Sequence, residues 1–170
     1  MEIASHINLL VTILWVCGSV LRRIISRHLN ARRRPTLEAF LSKYRKRRPE
    51  AARHMPHRVL EKAVGGSGEA RQHGDEIWLS PKFWEHDDKL RDWILTHEIG
   101  HYVLSRKNTQ AMHAAEALGI DLWDTPNLPY GQFNFDEAFA DCFAAYYLEH
   151  QELGSRYPKW LELVEKLLKS

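Results

Sequence analysis

Cysteine is scarce in this chain of 170 residues, which contains only Cys17 and Cys142. Two thiols cannot form a disulfide framework or supply the ligands of a zinc finger by themselves, and they fit a reducing compartment. Mean hydropathy is low, at −0.46, which excludes a membrane protein with many spans. The glycine-rich stretch GGSGEA, residues 65–70, is too short and unpatterned to cradle phosphate, and it indicates a flexible turn or linker.

One long apolar run is present at residues 3–21, where 13 of 19 residues are apolar. A helix of that length spans about 28 Å, close to the thickness of bilayer hydrocarbon. No Lys or Arg precedes the run, so the positive region of a secretory signal is missing. Arg22 and Arg23 follow it directly. The positive-inside rule therefore predicts a single transmembrane helix with the rest of the chain in the cytoplasm.

Two alternatives to this membrane anchor remain open. A helical stripe continues past the first arginines through Leu21, Ile25 and Leu29, as in a soluble or peripheral amphipathic helix of a cytoplasmic protein. The Arg and Ser content also fits an organelle presequence, although Glu2 and the apolar density do not.

Charge divides the chain into a basic and an acidic part. Residues 22–58 contain 13 Lys and Arg against two acids, whereas residues 59–170 contain 11 against 19. We expect a hydrophobic helix at residues 1–29, a basic linker or cover segment at 30–57 and a catalytic domain at 58–170. The basic residues 22–48 are suited to an anionic membrane surface. No pattern predicts specific nucleic-acid binding.

The motif HExxH, formed by His97, Glu98 and His101, lies within a helical pattern of apolar residues for which Asp87 or Asp88 is a candidate N-cap. Residues four apart share a helix face, so both imidazoles can bind one metal ion. Glu98 is turned by about 100° from His97. Its carboxylate is thereby placed beside the ion, where it can take a proton from a zinc-activated water.

A second predicted helix covers residues 133–150, with Asn134 as a candidate cap. Glu137 and Asp141 are four apart and share a face of this helix. Zinc that is held by two histidines needs a third ligand, which Glu137 can supply, and Asp141 can accept the other N–H of a zinc-binding histidine. The rival third ligands are Asp136, Glu116 and Glu149.

With HEIGH followed 35 residues later by Glu137 and then Asp141, the chain resembles the gluzincin metallopeptidases, whose pattern is HExxH…ExxxD. The stretch EAFADCFA is similar to a signature of the CAAX-prenyl-protease-like membrane peptidases. It is also similar to the glutamate helix of minigluzincins and ImmA-type metallopeptidases. The chain lacks the several membrane spans of the CAAX-prenyl-protease-like peptidases, and it has Asp141 where ImmA-type proteins usually carry Asn. The family within the superfamily therefore stays open.

The resemblance covers about residues 77–148 and implies an α+β, zincin-like small metallopeptidase domain. It implies that His97, His101 and Glu137 bind Zn²⁺, that Glu98 is the general base and that Asp141 orients a ligand. Such folds place an edge strand beside the cleft, where it pairs with an extended substrate. Residues 74–81, with Ile77, Trp78 and Leu79, fit this strand. Metallopeptidases of this kind also use a His, Tyr or Arg to stabilise the oxyanion. The candidates in this chain are Tyr130, Tyr146, Tyr147 and His150.

The sequence therefore predicts a zinc-dependent metallopeptidase that hydrolyses peptide bonds in a peptide or protein substrate, and a closing helix at residues 157–168. One alternative is a catalytically silent or latent zincin-fold module with a regulatory or binding role, membrane-associated through its basic N-terminal region. Another is a basic adaptor for lipid or nucleic acid with a decayed site.

Overall fold

The computed structural model describes residues 35–65, 68–121 and 134–170, which form a mostly helical α+β structure with one three-stranded sheet. In chain order the elements are α1 (Leu37–Arg47), α2 (Pro49–Ala52), β1 (Arg58–Glu61), β2 (Ala70–His73), β3 (Glu76–Leu79), a 3₁₀ helix (Pro81–Glu85), α3 (Asp88–Ala117), α4 (Phe135–Leu148), α5 (His150–Arg156) and α6 (Pro158–Lys169).

The expected hydrophobic helix at residues 1–29 lies outside the described residues. Within the described ranges, no helix is both long enough and apolar enough to cross a bilayer.

Helix α1 belongs to the core, although its sequence is dominated by positive charge. Phe40, Leu41 and Tyr44 follow helical spacing and are buried on one face. The Tyr44 hydroxyl lies 2.8 Å from Thr96 Oγ1 on α3. Contacts group residues Leu37–Ser170 as one compact unit. The expected linker or cover at residues 30–57 thus differs from the structure, in which the folded unit begins at Leu37 and not at residue 58.

The sheet has the strand order β1-β3-β2, so β3 is its central strand. Strand β1 pairs with β3 in parallel, and β2 pairs with β3 antiparallel across the turn that contains Gly74, whose φ is +56°. Ile77 and Leu79 of β3 are fully buried. The expectation that this strand is the substrate-pairing edge is therefore wrong, because both sides of β3 are already hydrogen-bonded. The edge strand that contacts α3 is β2.

Helix α3 is the central element of the fold. Asp87 is its N-cap, since Asp87 Oδ1 accepts a hydrogen bond from Leu90 N at 2.8 Å. Residues 92–100 are all buried, because α3 has the sheet and other helices around it. At Lys107 the backbone departs from helical geometry. There Lys107 Nζ donates to Leu167 O at 2.6 Å, near the end of α6.

Helices α3 and α4 approach closely at Gly100. A Cβ atom at this position would lie 2.9 Å from Ala140 Cα and 3.0 Å from Phe143 Cβ. Contacts this short are incompatible with any larger residue unless a helix shifts. The absence of a side chain at Gly100 therefore sets the separation of the two helices. The predicted closing helix is confirmed as α6, which buries Trp160, Leu163, Val164 and Leu167.

Candidate metal centre

The two histidines of the HExxH motif lie one turn apart on α3 and face the same side. Their Nε2 atoms are 3.0 Å apart, and their rings are nearly perpendicular. His97 is buried, whereas His101 is partly accessible. Helical geometry thus places two imidazole nitrogens side by side at the surface of a cleft.

Glu137 reaches these nitrogens from the first turn of α4. The helix begins at an Asn134 cap, whose Oδ1 accepts a hydrogen bond from Glu137 N at 2.9 Å. Glu137 Oε2 lies 3.1 Å from His97 Nε2, and Oε1 lies 3.5 Å from His101 Nε2. The three side chains come from two helices that are packed together, so their convergence depends on tertiary structure.

The spacing of these three groups fits a zinc ion. One ligand atom from each of His97, His101 and Glu137 can be chosen so that all lie within 4.8 Å of one another. Ligand atoms about 2.1 Å from a tetrahedral zinc ion lie about 3.4 Å apart. The two Nε2 atoms are 3.0 Å apart, and the two oxygens of Glu137 lie 3.1 Å from His97 Nε2 and 3.5 Å from His101 Nε2, all close to that value. Two imidazoles and one carboxylate are also a donor set that zinc takes, with a fourth position left for solvent.

Asp141 fixes the orientation of the His97 ring. Its Oδ1 lies 2.8 Å from His97 Nδ1, and the carboxylate is fully buried between α3 and α4. Asp141 can accept an N–H at Nδ1, and Nε2 is directed at Glu137 and His101, so a metal ion that displaces the Nε2 proton would bind there. This is the arrangement in which a histidine binds a metal through Nε2.

The charges of the centre favour a cation. Burial lowers the pKa of His97, but hydrogen bonds with Asp141 and Glu137 outweigh it and raise the pKa to about 9. Hydrogen bonds with His101 and His97 hold the pKa of Glu137 far below its usual range. The two carboxylates thus stabilise positive charge at the point where the ligand atoms meet.

Glu98 lies beside this centre and outside the ligand cluster. Its carboxylate is largely buried, and Oε2 accepts a hydrogen bond from the main-chain N–H of Gln72 at 2.5 Å. Burial raises the pKa of Glu98 above the ordinary glutamate value, and the neighbouring His97 and His101 charges oppose this rise. A carboxylate with a raised pKa is a stronger base than an ordinary glutamate.

A cavity of about 560 Å³ opens over the centre. Its walls are residues 68–72, which include the first three residues of strand β2, and residues of α3 together with Glu137. Strand β2 was not predicted from the sequence, because Arg71 and His73 are exposed and the segment has no apolar alternation. The two-residue turn Gly74-Asp75 before the apolar strand was the signal that could have indicated a hairpin.

The other predicted site residues lie elsewhere. Among the described residues, the cavity wall does not include Tyr146, Tyr147 or His150, which form an aromatic cluster near the end of α4 with ring centroids 4.9 and 5.1 Å apart. Tyr130 lies outside the described residues. The Trp78 ring lies under Lys62 Nζ, which is 4.3 Å from its centroid, and Trp78 Nε1 donates to Glu76.

The rival third ligands are not brought to the centre. Asp136 and Glu116 are exposed, and Glu149 lies 3.7 Å from Lys89 Nζ at the end of α4. Only Glu137 among the predicted candidates joins the two histidines in the part of the chain that the structure describes.

Comparisons of the chain with protein-family models, curated proteins and solved structures found no match.

Proposed function

We propose that this protein is a zinc metallopeptidase with a zincin-like fold of the gluzincin type. The observation that carries the proposal is the convergence of His97, His101 and Glu137 from two helices at separations that suit one zinc ion. A chance HExxH sequence on a surface helix would not account for a third ligand and a buried histidine partner on a second helix.

The ligands, Glu98 and Asp141 have different roles in the proposed peptide hydrolysis. Zinc bound by the three ligands would supply a Lewis acid that polarises a peptide carbonyl and lowers the pKa of water toward about 7. Glu98 takes a proton from the attacking water and returns it to the leaving amine. Asp141 holds His97 in the tautomer that leaves Nε2 available.

Strand β2 takes the place that the sequence assigned to β3 in substrate binding. Glu69 O accepts a hydrogen bond from Ser80 N, so residue 69 is bonded to the neighbouring strand. Along an antiparallel pair, every second residue of a strand is bonded to its partner strand in this way. The main-chain groups of Ala70 and Gln72 therefore point away from β3 and toward the cleft. An extended peptide that adds to this edge would run beside Glu98 and the metal ligands.

Measuring the zinc content of the unaltered protein and of variants at two neighbouring positions tests the ligand set. We expect the purified protein to bind about one zinc per chain, Glu137→Ala to lose it, and the matched control Asp136→Ala to keep it. Asp136 shares the first turn of α4 with Glu137 but is exposed. Equal zinc content in the two variants, or none in the unaltered protein, would contradict the proposal.

Substitution of Glu98 separates metal binding from chemistry. Glu98→Gln keeps the size of the side chain but removes the base, so we expect full zinc content and a loss of hydrolysis of about 10²- to 10⁴-fold. Release of fluorescent peptides from labelled casein measures the activity. A zinc-loaded variant that hydrolyses casein at the original rate would refute this role, whereas zinc binding without hydrolysis in the unaltered protein would support a regulatory or binding module.

A further inference from the structure

The general base that we assign has a main-chain partner. Gln72 N donates to Glu98 Oε2 at 2.5 Å. Glu98 is 8% exposed. Within the described part of the chain, Gln72 N is the donor that forms a hydrogen bond with its carboxylate. A buried carboxylate that accepts a backbone N–H has one oxygen fixed in direction. Oε1 is thereby left for proton transfer.

The donor belongs to the edge strand and is not required by the sheet. Gln72 is paired with Ile77 in the antiparallel register, at a position where its N–H points away from β3. The N–H group would otherwise face the cleft without a partner in the ladder. Its hydrogen bond to Glu98 therefore connects the strand beside the cavity with the helix that carries the metal ligands.

The hairpin that carries the donor has a second contact with α3. Arg106 on α3 forms an ion pair with Asp75 in the β2–β3 turn, and Arg106 Nη2 also lies 3.4 Å from the Tyr102 hydroxyl. The β2–β3 hairpin thus contacts α3 at two points, in the strand through Gln72 N and Glu98 and at the turn through Asp75 and Arg106. Two attachments restrict the movement of Gln72 N relative to the base.

We propose that the main-chain N–H of Gln72 is a positioning group that orients the Glu98 carboxylate for proton transfer. The inference rests on the proposed function, but it concerns the geometry of the base and not the binding of the metal. Gln72 acts through Glu98 and need not touch the reacting atoms. Its removal should therefore affect the chemical step and any ligand that uses Glu98 as an acceptor.

Proline at position 72 deletes the N–H, and it is tolerated in edge strands where that group does not join the ladder. We expect zinc-loaded Gln72→Pro to have a kcat for labelled casein about tenfold lower, with KM changed by less than about threefold. Acetohydroxamate chelates zinc and donates a proton to a neighbouring carboxylate. Its affinity, measured by calorimetry, should fall about tenfold.

The control is Glu61→Pro, which places proline in the other edge strand, β1. Lys62 N donates to Leu79 O, so by alternation the N–H of residue 61 points away from β3. This variant should retain kcat and acetohydroxamate affinity. A second change replaces the 71–72 amide by an ester through the α-hydroxy analogue of Gln72, which removes the N–H without a ring and keeps the side chain.

The two changes at position 72 decide the inference together. A tenfold fall of kcat and of acetohydroxamate affinity in the ester protein, at full zinc content, supports it even if the proline variant does not fold. Unchanged values in the ester protein, or loss of zinc from it, would overturn it. Failure of the proposed function is distinct, because the unaltered protein would then bind no zinc or hydrolyse no casein.

Discussion

The imidazole of His97 illustrates how single side chains are oriented here. Its Nδ1 faces Asp141 at 2.8 Å, and its Nε2 faces Glu137 and His101. The two nitrogens thus have different partners, one fully buried and one at the cleft. If Nε2 binds a metal ion as proposed, Asp141 orients the ring without being a ligand itself.

Replacing Asp141 should weaken zinc binding without removing a ligand. We expect Asp141→Asn to lower zinc affinity by about 10- to 100-fold, because the neutral amide neither fixes the tautomer of His97 nor increases its basicity as a carboxylate does. Competition with a fluorescent zinc chelator measures the change.

The matched control is Asp92→Asn, which neutralises another buried carboxylate of the same core. Asp92 accepts hydrogen bonds from Arg47 at 2.7 and 3.2 Å and is not in the metal cluster. Its substitution should lower the free energy of unfolding and leave zinc affinity unchanged. Equal loss of zinc affinity in both variants would show that general destabilisation explains the effect at Asp141.

The packing of α3 on α4 determines whether the ligands can meet. His97 and His101 are on one helix, Glu137 is on the other, and Gly100 lies between the two histidines where the helices are closest. A shift of a few tenths of an ångström at this contact would change the ligand separations, because close-packed interiors transmit strain.

Gly100→Ala should therefore affect both stability and metal binding. Alanine gains about 1 kcal/mol in helix propensity, but overpacking costs about 1–3 kcal/mol, so we expect a net loss of stability together with weaker zinc binding. Urea denaturation in the presence of a chelator measures the first, and chelator competition measures the second.

Gly154→Ala on α5 is the comparison for this substitution. A Cβ there would lie 3.1 Å from Leu161 Cδ2, the end of a flexible side chain that can move. The gain of about 1 kcal/mol in helix propensity meets no backbone clash there, so we expect a stability equal to or above that of the unaltered protein. If Gly100→Ala behaves in the same way and keeps its zinc affinity, the close approach does not control the site.

The helices that carry the centre could be predicted because their signals are local. Asp87, one of two candidate caps of its helix, and Asn134 accept the backbone hydrogen bonds expected of caps. The sheet order could not be predicted, since Ile77 and Leu79 alternate in the same way in a central strand and in an edge strand. Pairing depends on β1 and β2, which are only four residues long and have weak sequence patterns.

The N-terminal boundary of the folded unit could not be predicted, because the first helix is rich in positive charge. In α1 the buried stripe of Phe40, Leu41 and Tyr44 shares the helix with four Lys and Arg, and two more Arg follow by residue 53. The average composition of this stretch indicates a solvated linker. Arg47 and Arg48 are themselves partnered, since both contact Asp92 on α3. The basic residues thus help to attach α1 and do not separate it from the domain.

Truncation should locate the boundary of the unit. A chain that begins at Leu37 should fold and bind zinc as the whole protein does. A chain that begins at Arg58 loses Phe40, Leu41 and Tyr44, each of which contributes about 1.5–3 kcal/mol by burial, and leaves Asp92 without its cations. That loss is comparable with the entire stability of a small domain, about 5–15 kcal/mol. We expect no cooperative unfolding transition by circular dichroism.

Cooperative folding of the shorter chain would mean that α1 covers the domain and is not part of it. A temperature scan of both chains under the same conditions distinguishes these outcomes. Removal of residues 1–57 is therefore unsuitable for testing inhibition by the basic segment, because it also removes core residues.

The short outer edge of the sheet also has a consequence for solubility. Exposed edge strands are templates on which a second molecule can add its own strand, and this is a common route to aggregation. Here the edge formed by β2 is four residues long, carries the positive charge of Arg71 and already uses the Gln72 N–H within the molecule. Glu98 therefore occupies one main-chain donor of this edge, which leaves fewer groups on which a second molecule could add a strand.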